Sequence, residues 1–133
     1  YVITVESDGG LASGNGAIID SFQDGSDVAE TNVTWTSPSN NITDDTTWGY
    51  WGLTSDDPDL NSLGGFYASE FAAEEFIAAS TTPREVFHHD GPSDGITTGI
   101  GTTSVLYRVE ITPLQEAADD YNTTLTYIAT PTF

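Results

Sequence analysis

From Tyr121 to the end of the chain the odd positions read Tyr121, Thr123, Leu125, Tyr127, Ala129, Pro131 and Phe133, and the even ones read Asn122, Thr124, Thr126, Ile128, Thr130 and Thr132. This period of two gives one apolar face and one threonine-rich face, which a half-buried β-strand can satisfy and a helix cannot. The stretch SVLYRVEIT repeats the pattern: Val105, Tyr107, Val109 and Ile111 face one way, and Leu106, Arg108 and Glu110 the other. The short connection PLQEAADD makes these two strands spatial neighbours, either as an antiparallel pair or across two sheets.

Elsewhere, short apolar runs alternate with glycine, serine, threonine, asparagine and aspartate, as in an all-β sandwich. Further strands are expected near Tyr1 to Ser7, Ala17 to Phe22, Asn32 to Thr36, Trp48 to Thr54 and Val86 to His88. One helix is expected in YASEFAAEEFIAAS, rich in alanine and glutamate with Ser69 placed to cap it. At 133 residues the chain has room for one core. The expected fold is therefore all-β: an antiparallel β-sandwich, Ig-like or jelly-roll-like, with one short helix and a tethered N-terminal strand.

That tether is unusual. YVITVES places Tyr1, Ile3 and Val5 on one face, and DGGLASGNG then supplies four glycines where ordinary hairpins use two to five residues in all. The chain divides into residues 1–16, a strand with a glycine-rich linker, and residues 17–133, the sandwich. Such a strand can fold back into its own sheet or reach into a neighbour's.

Charge narrows the partners. Against 21 carboxylates stand only Arg84 and Arg108, for a net charge of −19 with no lysine. Tracking phosphates or binding an anionic membrane surface requires cations, so nucleic acid and direct membrane insertion are not expected partners. Without cysteine there is no disulfide framework and no thiol catalyst. The scarcity of trypsin-type cleavage sites and the absence of methionine fit an extracellular, cell-surface location.

No catalytic motif stands out. There is no GxSxG elbow, no HExxH, no phosphate-binding loop and no GxGxxG leading from strand to helix. His88, His89 and Asp90 lie together in VFHHDGPSDG, where a polar surface turn explains them as well as a metal or a base would. Glu74 and Glu75 are adjacent and point apart on a helix, which suits solvation. No cofactor is demanded, and calcium is the metal the sequence favours. Asp57, Asp59 and Asn61 alternate like the opening of a calcium loop, although Ala68 stands where its closing acid would be. An Asp-rich turn in an acidic chain reads the same way.

Three sequons, at Asn32, Asn41 and Asn122, are candidate glycosylation sites. Trp48, Tyr50 and Trp51 cluster in TWGYWGL, and such rings either stack on sugars or form core. Alternation places Trp48 with Tyr50 on one face and Trp51 with Leu53 on the other, as in a strand buried on both sides.

With its threonine-rich alternating close, VLYRVEITPLQEAADDYNTTLTYIATPTF resembles the C-terminal end of small secreted microbial surface proteins. Together with the tethered YVITVES strand it is also similar to fimbrial subunits of the chaperone-usher kind. That resemblance implies a secreted β-sandwich that polymerises by donor-strand complementation, although the disulfide common in those pilins is absent. A type IV pilin would need a long apolar N-terminal helix, and a sortase-built pilus would need lysine.

The expected function is thus a structural subunit of an extracellular filament or sheath. Tyr1, Ile3 and Val5 would insert into a neighbouring copy, making the chain its own partner. The alternative is a monomeric adhesin or glycan-binding module using Trp48, Tyr50 or Trp51. An enzyme is not expected.

Overall fold

The computed structural model describes all residues except 25, 26, 29, 30, 61–73, 119 and 133, and it describes the backbone alone at 23, 24, 27 and 28. Strands dominate. In chain order they are β1 (Val2–Ser7), β2 (Leu11–Ala12), β3 (Ile18–Ser21), β4 (Gln23–Asp24), β5 (Asp27–Val28), β6 (Val33–Thr34), β7 (Gly49–Ser55), β8 (Glu75–Ala78), β9 (Arg84–His88), β10 (Val105–Ile111) and β11 (Leu125–Thr130). Among the described residues the helical content is one 3-10 turn at Asp45–Thr47, capped by the Asp44 carboxylate.

Two sheets form the body. The first is antiparallel throughout, in the order β11-β1-β9. The second runs β2-β3-β7-β8-β6, with β10 along the other edge of β7. β10 pairs with the whole of β7, from Val105 opposite Ser55 to Ile111 opposite Gly49. The far edge of β7 is shared: Tyr50 and Trp51 pair with β3, in parallel, and Gly52 and Leu53 pair with β8. β4 and β5 make a separate hairpin.

The core lies between the sheets. Val5 from the first sheet and Ile19, Trp51, Leu53 and Ile77 from the second bury together with Leu60, Ala79 and Val86, and Ile3 and Leu125 pack against them. A second cluster covers the other face of β7, where Phe22, Tyr50, Phe76 and Ala78 meet Val33 and Trp35. Trp35 lies flat on Phe22 at 4.5 Å and meets Phe76 edge-on at 5.2 Å. β7 is therefore buried on both faces along its whole length, as its alternation suggests. Gly52 permits the close approach: a Cβ there would lie 2.8 Å from the Ile77 carbonyl oxygen and 3.1 Å from Phe22 Cβ.

Two expectations change. The helix expected across residues 67–80 is overturned in its described part, where Glu75–Ala78 is strand β8; residues 67–73 lie outside the described residues. Phe76, Ile77, Ala78 and Ala79 are all buried, and pairing with β6 and β7 outweighs the helical preference of alanine and glutamate. The glycine-rich segment is not a free tether either. β2 pairs with β3, and Ala12 exchanges backbone hydrogen bonds with Asn122, each 2.9 Å, so the connection from β1 shrinks to Asp8, Gly9 and Gly10, with the Asp8 N–H itself bonded to the Thr124 carbonyl at 3.1 Å. Of the two arrangements open to β10 and β11, the structure takes the one across the two sheets, where the Tyr107 and Tyr127 hydroxyls meet.

Candidate functional site

The side of the sandwich where β10 and β11 run is only partly covered. In register, Tyr107 lies opposite Leu53, Val109 opposite Trp51 and Ile111 opposite Gly49, so these residues share the core-facing side of β7. Val109 and Ile111 are nevertheless 52% and 58% exposed. On the facing sheet Leu125, Tyr127 and Ala129 sit opposite Ser7, Val5 and Ile3. Leu125 packs into the core, whereas Tyr127 is 49% exposed. The greasy face of the last strand is therefore covered only at its start.

The hydroxyls of Tyr107 and Tyr127 meet at 2.5 Å and brace this side. Burial, followed by that partner, pushes the Tyr107 phenol well above its ordinary range. Ile128, on the opposite face of β11, is 45% exposed. Each of the two strands has one paired edge: β11 binds β1 and β10 binds β7. Among the described residues no strand takes the other edge.

Behind β10 the chain places one of its two cations. The Arg108 guanidinium lies 4.6 Å from the centre of the Trp35 ring and 3.4 Å from Glu110, whose Oε2 also accepts the Trp35 indole N–H at 2.5 Å. The Ser37 hydroxyl chiefly holds the Glu110 carboxyl below its usual value; burial pulls the other way, and Trp35 and Arg108 add to the lowering. A groove of about 460 Å³ opens here, lined by Thr54, Glu74, Phe76 and residues 106–109 of β10.

The proposed donor face occupies the molecule's own core. Val5 is buried, Ile3 packs beside it, and the Tyr1 ring meets Phe87 edge-on at 5.2 Å. β1 is the middle strand of its sheet, bonded to β11 on one edge and to β9 on the other. At its end, Asp8 accepts the Thr123 hydroxyl at 2.5 Å and the Thr124 N–H at 2.9 Å, bonds that lower its pKa.

The other expected sites are dispersed. Asp57 is fully buried, with Oδ1 accepting the Asp59 N–H at 3.0 Å and Oδ2 the His88 N–H at 2.6 Å, so both oxygens of this calcium candidate hold backbone. Asp59 is exposed, and Asn61 lies outside the described residues. Among the described residues no three acidic or imidazole groups converge on a point. Buried His88 lies 3.3 Å from the exposed Asp90, while His89 accepts the Gly91 N–H at 3.1 Å, so the two imidazoles serve separate contacts. Of the sequon asparagines, Asn41 and Asn122 are exposed, whereas Asn32 is half-buried and donates to Glu75 at 2.5 Å.

Tyr50 and Trp51 are buried in opposite clusters and present no face to a sugar. Trp48 is half-buried, donates its indole N–H to the Asn41 carbonyl at 2.8 Å, and borders a cleft of about 360 Å³ with Asp20, Asp45, Gln115 and Glu116. Burial, reinforced by Asp45 and Asp44, raises the Asp20 carboxyl.

These features define an all-β, sandwich-like protein with two open edge strands on one side. No protein-family model, curated protein or solved structure matches the chain.

Proposed function

We propose that this chain is a structural subunit of an extracellular, cell-surface filament or sheath, assembled non-covalently by exchange of β1 between copies. The observation that carries the reading is the position of β1. It is a central strand whose Ile3 and Val5 complete the core, and it is joined to β2 through only Asp8, Gly9 and Gly10. A β1 from a neighbouring copy would make the same hydrogen bonds to β9 and β11 and fill the same space. Closed monomer and exchanged polymer then differ little in contact energy, so concentration and the hinge decide between them. Gly9, at φ +144°, sits in that hinge.

Thr4 and Ile128 are opposed in the β1/β11 register, close enough for an engineered disulfide to lock β1 into its own sheet, and the chain has no cysteine to interfere. Electron microscopy of Thr4→Cys/Ile128→Cys should show filaments under reducing conditions and none when the pair is oxidised before assembly. Filaments of equal length from the oxidised protein would refute exchange.

A second reading, a glycan-binding adhesin, draws on the Trp48 cleft alone. An indole beside carboxylate and amide acceptors matches the apolar face and hydroxyls of a sugar ring.

A further inference from the structure

We infer that the β10/β11 side is a docking surface for a second copy of this chain, with β11 pairing antiparallel to β11 of the other copy about a two-fold axis. The inference rests on the two edge strands and does not require exchange of β1.

Open edges in solitary proteins are guarded by lysine, inward-pointing charge, proline or a bulge. Here the inward positions of β10 are Val105, Tyr107, Val109 and Ile111, and those of β11 are Leu125, Tyr127 and Ala129. None is charged, and proline enters only after β11, at Pro131. The inner-face side chains Val109, Ile111 and Tyr127 stay about half exposed. A strand added along this side would bond the backbone edges that no described strand takes and cover those groups together.

Charge selects the occupant. Two copies that each carry −19 repel wherever carboxylates meet carboxylates. Residues 121–132 carry no charged side chain at all. On β10 the one carboxylate, Glu110, is engaged by Trp35 and Arg108 on the outer face. This strip is where an equally acidic copy meets least opposition, whereas a basic partner would be drawn to the acid-rich surfaces instead. Antiparallel β11/β11 pairing continues the sheet as β9-β1-β11-β11-β1-β9 and brings the two β10 strands side by side in the layer beneath. An interface of this kind uses one patch twice and closes as a dimer.

Sedimentation velocity of the full-length chain across concentration and sodium chloride tests the proposal. The chain should pass from monomer to dimer as concentration rises, and more readily at high salt, which screens the remaining repulsion. Ala129→Glu places a carboxylate opposite its own copy and should weaken association more than about tenfold. Ile96→Glu, in an exposed loop, should leave association unchanged. Hydrogen exchange read by mass spectrometry should slow in residues 125–130 as dimer forms. The oxidised Thr4→Cys/Ile128→Cys protein should still dimerise, which separates this surface from β1 exchange. A wild-type chain that stays monomeric in high salt overturns the inference. So does equal behaviour of the two glutamate variants, slowed exchange confined to another strand, or loss of the dimer in the locked protein.

Discussion

The Asp57 carboxylate accepts the His88 backbone N–H at 2.6 Å, tying the turn after β7 in one sheet to the end of β9 in the other. Asp57 is fully buried and also accepts the Asp59 N–H. Burial raises its pKa, with these two N–H bonds pulling the other way. A residue that resembles the start of a calcium loop therefore acts as an internal clip.

Replacing Asp57 with alanine should leave the buried His88 N–H and the part-buried Asp59 N–H without this acceptor, at a cost of about 2–3 kcal/mol. An asparagine side chain would retain one of the two oxygens, so Asp57→Asn should cost about half as much. Urea unfolding of both variants, with and without calcium, checks this; a large calcium-dependent gain in the wild type alone would restore the ion-site reading.

Trp35 roofs the outer cluster. Trp35→Ala uncovers Phe22 and Phe76 and removes the indole N–H from Glu110, so a loss of about 2–3 kcal/mol is expected. Trp35→Phe should recover most of the packing but not the bond. Chemical denaturation midpoints of the two variants separate the contributions.

Gly52→Ala should destabilise by about 1–3 kcal/mol, because the added methyl would press on the Ile77 carbonyl and Phe22. The strain falls on the β7/β8 pairing, so hydrogen exchange should quicken first at Gly52, Leu53, Ile77 and Ala78.

Acid should act in two stages. Asp20, Asp57 and Glu85 have raised pKa values, chiefly through burial, so their ionised forms oppose folding. As pH falls through those raised values their protonation adds stability. Asp8, Asp56, Asp94 and Glu110 are lowered by hydrogen bonds, and Asp94, held by the Thr97 hydroxyl and the Ile96 and Thr97 N–H groups, is brought down to about 2. Their contribution is complete above the ordinary carboxylate values and is lost as pH falls below them. Thermal melts should therefore rise modestly on acidification from neutral and then fall steeply. Asp8→Ala and Asp94→Ala should each flatten only the acid limb.

Trp48 should be the tryptophan that a sugar reaches. Addition of a bound polysaccharide should shift the emission of wild-type protein, and Trp48→Phe should abolish the shift. Buried Trp51 should stay shielded from acrylamide throughout.

The strands that were readable in advance carry their own period. β1, β3, β7, β10 and β11 each show two-residue alternation or a compact apolar run, and each forms within a few residues of its expected place. Two-sided burial of the TWGYWGL strand was equally readable, because aromatic groups stand at both parities. β2 and β8 could not be read. Leu11–Ala12 is too short to show a period, and Glu75–Ala78 is built from residues that favour helix until Phe76 and Ile77 are buried. The role of Asp57 was hidden for a related reason, since its second partner, His88, is 31 positions away.

The all-β class, the strongest strands and the net charge of −19 can be read from the sequence alone, because alternation and charge are local and additive properties. The placement of β1 between β9 and β11, the parting of β10 and β11 into different sheets, and the exposure of Val109, Ile111 and Tyr127 on faces patterned for burial emerge with the fold. Those outcomes depend on which strand edges meet across long separations, and a period of two fixes which way a side chain points without fixing what lies opposite it.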